Sequence, residues 1–199
     1  MTQSPETSLQ RQSLRNHIRR QRRRLTPAEQ AAAAAALVKT LLADPRVTAA
    51  RSLALFLSFD GELDTRPLIE ALWQRDQRVY LPVLHPFSPG HLLFLRYRPD
   101  TPLVLNRLHI SEPRLDVTQL LPARHLDILF TPLVAFDARG QRLGMGGGFY
   151  DRTLRHWRRG AGFYPIGLAH DCQQVDAIPA EPWDIPLPEI VTPSRHWRW

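Results

Sequence analysis

The residues of this 199-residue chain whose types could act together stand in one run: Arg142, Leu143, Gly144, Met145, Gly146, Gly147, Gly148, Phe149, Tyr150 and Asp151. Glycines that follow a buried strand and precede a helix let successive backbone N–H groups point into one concavity, which suits a phosphate. Arg142 adds a fixed, two-pronged cation at one end of the run. Asp151 adds at the other end the hard oxygen that Mg2+ prefers. Glycine clusters also mark plain turns, and it is the flanking charges that favour a nucleotide phosphate site. The spacing is neither that of a Walker A loop, since no Gly-Lys-Ser/Thr follows, nor that of a dinucleotide fingerprint.

The elements around this run must place it. Upstream, Leu129 to Phe136 is apolar except for Thr131 and Pro132, as expected of a buried central strand with a bulge or an end at the proline. Asp137 to Gly140 reads as a turn, and a helix is expected from about Tyr150 to Arg159. Further strands are expected at 52–57, 78–83, 92–97, 127–135, 164–169 and 190–192. Thr26-Pro27-Ala28-Glu29 is a capping box that opens a helix running to about Ala43, and Thr65 is the expected cap of a second helix to Arg75. Strands alternating with helices give an α/β fold with a mostly parallel sheet covered on both faces. Residues 98–124, rich in proline, read as a long, partly irregular connection.

The N-terminal part is basic. A helix over Gln10 to Arg24 carries an apolar stripe of Leu14 and Ile18 under a coat of arginines, and residues 1–9 read as a flexible tail ahead of a single domain over 10–199. The formal net charge of +7 calls for an anionic partner. Nucleic acid is a poor candidate, because no stacking aromatics interleave with the arginines and no recognition motif is present. No apolar run approaches the roughly 20 residues of a membrane helix, nor is there a signal-peptide core, and the single cysteine excludes an internal disulfide; a cytoplasmic enzyme is expected. His170 and Cys172 lack any supporting constellation and read as structural.

With these residues in view, the chain from about Arg11 to Thr192 resembles the 5-formyltetrahydrofolate cyclo-ligase (5,10-methenyltetrahydrofolate synthetase) family. The resemblance rests on Ser13-Leu14-Arg15 with the basic helix behind it, Leu57 to Thr65, Pro132 to Asp137, and above all Arg142 to Asp151. It implies a Rossmann-like three-layer α/β/α fold, of the kind shared with sugar-phosphate isomerases and CoA transferases. It further implies that ATP and Mg2+ close 5-formyltetrahydrofolate into 5,10-methenyltetrahydrofolate, in a monomer or weak dimer.

Carried over residue by residue, the resemblance assigns ATP contacts to Arg11, Gln12, Ser13, Leu14 and Arg15 and to the stretch Arg142 to Tyr150. Folate contacts fall on Leu57, Glu62, Met145, Gly146, Gly147, Gly148 and Phe149. Arg142 and Glu62 are the expected catalytic pair, and Asp151 and Asp184 the expected Mg2+ ligands. Glu62 also lies just past a strand end, where open α/β sheets bind ligands. The sequence departs from the family's pattern at Arg11, where lysine is usual, at Phe149, where tyrosine is common, and at Pro188, where an acid is usual.

Overall fold

The computed structural model describes residues 5–155, 157–160 and 162–199. These residues form five α-helices, the first three consecutive: α1 (Pro5–Arg23), α2 (Pro27–Leu42), α3 (Pro45–Ala49), α4 (Arg66–Trp73) and α5 (Phe149–Leu154). The strands are β1 (Ser52–Ala54), β2 (Arg78–Leu84), β3 (Leu92–Tyr97), β4 (Leu103–Leu105), β5 (Ser111–Pro113), β6 (Leu120–Leu121), β7 (Ile128–Pro132), β8 (Ala135–Phe136), β9 (Arg142–Leu143), β10 (Tyr164–Leu168), β11 (Glu189–Val191) and β12 (His196–Arg198).

Eight strands form one sheet in the order β12-β11-β10-β7-β1-β2-β3-β6. Strands β11, β10, β7, β1 and β2 are mutually parallel, whereas β12 and β3 pair antiparallel at the two flanks. After β1 the chain moves to β2 on one side, and from β7 it moves to β10 and β11 on the other. The order therefore reverses between β1 and β7, and open α/β sheets bind ligands beyond the C-terminal ends of strands at such a point.

Side-chain alternation divides the core between the two faces. Leu53, Leu55, Val79, Leu81, Ile128, Phe130 and Ile166 pack against Leu37 and Leu41 of α2 and Leu68, Ile69 and Leu72 of α4. Ala54, Tyr80, Leu129 and Ile190 face Leu154 of α5 and the loop residues Leu133, Phe163 and Leu187. The expected α/β fold with both faces covered is what forms. A third cluster joins Ile18 and Leu14 of α1 to Val134, Ala135, Leu143 and Ile178, so the apolar stripe of the basic helix docks on β8 and β9.

Local expectations hold with instructive exceptions. The capping box forms: Glu29 N–H donates to Thr26 Oγ1 at 3.2 Å, and Thr26 N–H donates to Glu29 Oε2 at 2.7 Å. Thr65 stands at the cap position of α4, but its hydroxyl donates instead to the Phe56 carbonyl, and Asp64 Oδ1 accepts from Arg66 N–H at 3.0 Å. Helix α1 starts at Pro5, earlier than the expected Gln10, so 5–9 of the expected tail are helical; 1–4 lie outside the described residues. The helix expected to reach Arg159 ends at Leu154 and resumes as a 3-10 turn at Trp157–Arg159, with His156 outside the described residues. The connection over 98–124 holds the β4–β5 hairpin and two 3-10 turns.

The expected strand over 127–135 breaks at Pro132, which has no N–H for the ladder. The chain then leaves the sheet and forms the β8–β9 ribbon, in which Phe136 pairs with Arg142. Between them, buried Asp137 closes the expected turn, its Oδ1 accepting from Arg139 N–H at 2.9 Å and Gln141 N–H at 3.2 Å.

Candidate active site

The break at Pro132 is what delivers Arg142 to the reversal point. Arg142 is 3% exposed, and its Nη2 donates to Asp151 Oδ1 at 2.5 Å across the glycine loop. Its Nε is buried without a hydrogen-bond partner among the described residues. Burial depresses the pKa of this guanidinium, and Asp151, Asp184 and Tyr150 oppose that shift. A buried cation with an orphan donor is costly unless an acceptor approaches, so its surroundings favour an arriving anion.

The loop needs its glycines at particular places. Gly146 (φ +99°) and Gly148 (φ +67°) adopt left-handed backbone, and a Cβ on Gly147 would come within 2.6 Å of the Phe149 ring. Arg152 Nη1 donates to the Gly147 carbonyl at 2.9 Å and to the Gly90 carbonyl at 3.1 Å, pinning the loop to the turn between β2 and β3. Met145, Gly146 and Gly147 remain exposed, whereas Leu143 is wholly buried and serves the β8–β9 core. Phe149 and Tyr150 are half-buried at the start of α5.

Helix α1 closes the site from above, and its candidate residues separate by facing. Arg15 Nε donates to the Gly144 carbonyl at 2.8 Å, and its guanidinium lies over Gly146. Burial and neighbouring Arg11 push the Arg15 pKa down. Arg11 is buried and forms a two-point ion pair with Asp184, at 2.5 and 2.9 Å, while also donating to the Pro179 carbonyl at 2.7 Å. Leu14 packs into the ribbon cluster, and Gln12 and Ser13 are exposed. Within the 11–15 stretch, Arg15 is the side chain bonded to the glycine loop.

Glu62 follows β1, as expected, in the turn Phe59 to Glu62. Phe59 N–H donates to its Oε2 at 3.1 Å, and Arg22 Nη2 stands 3.9 Å from its Oε1. Burial pushes its pKa up to about 7 against the opposing pull of Arg22 and Phe59 N–H. Tyr150 lies near enough that burial, reinforced by the Glu62 charge, raises the phenol's pKa. Leu57, half-buried, packs against the first core cluster. The fold thus gathers Glu62, Tyr150, Arg142, Asp151 and the glycine loop at one end of the sheet.

The expected metal pair fares unequally. Asp184 has both oxygens engaged by Arg11, and its Oδ2 also accepts from Glu181 N–H at 2.8 Å, so most of its acceptor capacity is used within the chain. Asp151 gives one oxygen to Arg142 and keeps partial exposure, which fits a Mg2+ held jointly by one carboxylate and substrate phosphates. Among the described residues, one acid and histidine cluster has metal-like spacing: Asp44, Glu189 and His196. It lies at the other end of the strands, and Arg46 occupies both of its carboxylates.

Two residues of this end of the sheet, Asp60 and Arg22, escaped sequence reasoning, while His170 is buried as its structural reading implies. Asp60 is held by Arg19 Nε at 2.6 Å, by Arg22 Nη2 at 3.0 Å and by Arg23; burial works against its ionisation, but the three arginines still lower its pKa. Arg22, counted with the solvated basic face, is 0% exposed. His170 is buried, and burial together with Arg22 lowers its pKa. The available signal was the 19, 22, 23 spacing of arginines on one helical side, opposite a lone Asp-Gly turn.

The pattern of the 5-formyltetrahydrofolate cyclo-ligase family matches residues 7–193. The chain belongs to that family. A 5-formyltetrahydrofolate cyclo-ligase of Escherichia coli (strain K12) is 59% identical over 182 residues, covering 92% of this chain and 100% of the relative. One from Haemophilus influenzae is 52% identical over 181 residues, covering 91% and 96%. The solved 5,10-methenyltetrahydrofolate synthetase of Aquifex aeolicus superposes with a TM-score of 0.80 at 26% identity, covering 94% of this chain and 92% of that one. Membership in the cyclo-ligase family makes the chain a ligase of folate metabolism, and the family's two names state the conversion, 5-formyltetrahydrofolate to 5,10-methenyltetrahydrofolate.

Proposed function

We propose that the chain performs this conversion with MgATP, giving ADP and phosphate. The formyl oxygen attacks the γ-phosphorus and ADP leaves; N10 then attacks the formyl carbon and gives up its proton, and the phosphate departs with the former formyl oxygen and takes up that proton. Phosphorylation turns a poor leaving group into a good one, so the protein's work is positioning and charge neutralisation. The observation that carries the reading is the convergence of buried Arg142, Asp151, the glycine loop and Glu62 beyond the ends of β1 and β7.

In this reading the exposed backbone of Met145 to Gly148 cradles the phosphates, with Arg142 behind them and Arg15 above. Leu57, Glu62 and Phe149 face the folate, with the Glu62 carboxylate accepting hydrogen bonds from pterin nitrogens. A Mg2+ ion, when bound, neutralises phosphate charge, and Asp151 is its protein ligand. Arg11 acts through its pair with Asp184, which fixes α1 over the loop. Among the described residues no helix is long and apolar enough to cross a membrane. A cytoplasmic monomer or weak dimer completes the proposal.

The test follows methenyltetrahydrofolate absorbance from 5-formyltetrahydrofolate with and without ATP and Mg2+. Absorbance that grows with both present, with ADP released in step, supports the reading. Growth without ATP, or ADP release without folate, overturns it.

A further inference from the structure

Arg22 contacts neither proposed substrate, yet it is the arginine of α1 that the fold buries completely. Its Nε donates to the Asp60 carbonyl at 2.8 Å, its Nη2 to Asp60 Oδ2 at 3.0 Å and its Nη1 to the Leu133 carbonyl at 3.4 Å. Asp60 lies beyond β1 and Leu133 just beyond β7, so one guanidinium joins α1 to both strand ends that border the crevice. Burying an arginine is costly, and a planar fork that reaches three acceptors on two elements is a use to which lysine is poorly suited.

The turn it grips is strained. Asp60 has φ +56° and Gly61 φ +75°, and a Cβ on Gly61 would come within 3.2 Å of the Arg22 carbonyl. A non-glycine residue in left-handed backbone persists where its surroundings impose it, and here Arg19, Arg22 and Arg23 all hold the Asp60 carboxylate. Two residues on, Glu62 N–H donates to the Phe59 carbonyl at 3.1 Å and Phe59 N–H donates to Glu62 Oε2 at 3.1 Å, closing the turn. Oε2 is thereby fixed, and Oε1 faces Arg22 Nη2 at 3.9 Å.

The groups around the Glu62 carboxyl come from four elements. Asp60 belongs to its own turn and Tyr150 to α5; His170 follows β10 beside Gly61, and burial together with Arg22 lowers its pKa; Arg22 supplies the facing positive charge. We propose that Arg22 is a positioning residue for the folate half of the reaction, fixing the Glu62 carboxyl through the Asp60–Gly61 turn so that it meets the pterin. This rests on the reading that Glu62 accepts from the pterin.

The experiment separates the two. In the full chain, 13C-carboxyl-labelled glutamate is titrated by NMR, the Glu62 signal being the one lost in Glu62→Gln; no substrate is needed. Arg22→Met should raise the Glu62 midpoint by about one pH unit or more, and Asp60→Asn, which removes a like charge, should lower it. Arg22→Lys should restore the midpoint. If Arg22→Met fails to fold, Asp60→Asn carries the midpoint test and Arg22→Lys, which keeps the charge but loses the fork, carries the kinetic one. In turnover at pH 7, Arg22→Met should lower kcat/KM for 5-formyltetrahydrofolate about tenfold or more, recovering in part at alkaline pH, while KM for ATP changes less than about threefold. An unmoved midpoint in Arg22→Met and in Asp60→Asn, or equal losses toward both substrates, overturns the inference. A moved midpoint in a protein whose wild type does not turn over folate would instead overturn the folate reading while leaving the control of Glu62 by Arg22 standing.

Discussion

Arg11 grips Asp184 at two points, Nη1 to Oδ2 at 2.5 Å and Nη2 to Oδ1 at 2.9 Å, and so ties α1 to the segment ahead of β11. Both side chains are nearly inaccessible, at 6% and 4% exposed. Breaking a pair so buried strands one charge, which costs on the order of 3 kcal/mol, and a carboxylate so engaged has less to offer a metal than Asp151. Asp184→Asn should therefore lower stability in denaturant titration and leave the Mg2+ dependence of turnover unchanged. Asp151→Asn should do the reverse, raising the Mg2+ needed for half-maximal turnover about tenfold or more. A Mg2+ requirement that rises equally in both variants would return Asp184 to the metal.

Gly146 offers a way to separate backbone geometry from packing. A Cβ there would meet nothing nearer than Arg15 Nη2 at 3.7 Å, yet φ is +99°. Gly146→Ala should thus cost only about 1–2 kcal/mol in stability, from backbone strain. Relieving that strain turns the loop N–H groups away, so kcat/KM for ATP should fall about tenfold or more. Gly162→Ala is the contrast: its Cβ would fall 1.8 Å from the Arg124 carbonyl, so stability should drop while the ATP kinetics of the folded fraction stay close to wild type.

Much of this site was legible because the chemistry sat in one stretch. Arg142, the glycines and Asp151 are contiguous, and the apolar run ahead of them announced a central strand. The core helices were legible because capping signals and apolar spacing are local, as in Thr26 to Glu29. What escaped was set by distance in sequence. Arg22 is 38 residues from Asp60 and 111 from Leu133, and nothing in a helix of alternating arginines says which one the fold will bury. Asp184 reads as a free acid until Arg11, 173 positions away, is seen to occupy it. The break at Pro132 was visible, but not the ribbon that it feeds, because β8 and β9 are two residues each.

At the other end of the strands, wholly buried Glu189 accepts from Arg46 at 2.8 Å through both oxygens and contacts His196, while Asp44 pairs with Arg46 and Arg198. Burial opposes ionisation of Glu189, but Arg46 and His196 overcome it and hold its pKa low; Arg46 does the same for Asp44. Carboxylates depressed in the fold contribute stability that is present above their unfolded values and lost as pH falls through the folded ones. Unfolding should therefore become easier as pH drops below about 4.5. Glu189→Gln should cost about 2 kcal/mol at pH 7, a figure reduced for the partial exposure of Arg46, and flatten that acid dependence. Equal acid sensitivity in wild type and variant, measured by urea titration across pH 3–7, would remove this network from the explanation.

Glu62 has the opposite sign, and its prediction links stability to function at a single carboxyl. Burial raises its pKa from the ordinary 4.5 to about 7. A raised acid contributes stability that is fully present below the unfolded value and lost as pH rises through the folded one. Between pH 4.5 and 7 the fold holds a proton that the unfolded chain has released, so stability contributed here declines across that window, by an amount of order 1–3 kcal/mol. Glu62→Gln should remove the decline and make the variant more stable than wild type above pH 7. In turnover the same change should raise KM for 5-formyltetrahydrofolate more than KM for ATP, and should abolish the rise in kcat/KM for folate that ionisation near pH 7 gives the wild type. Paired pH titrations of unfolding and of folate kinetics check both halves. A variant that is no more stable at pH 8, yet keeps the wild-type pH profile, would show that Glu62 is neither the carboxyl destabilised by burial nor the folate acceptor.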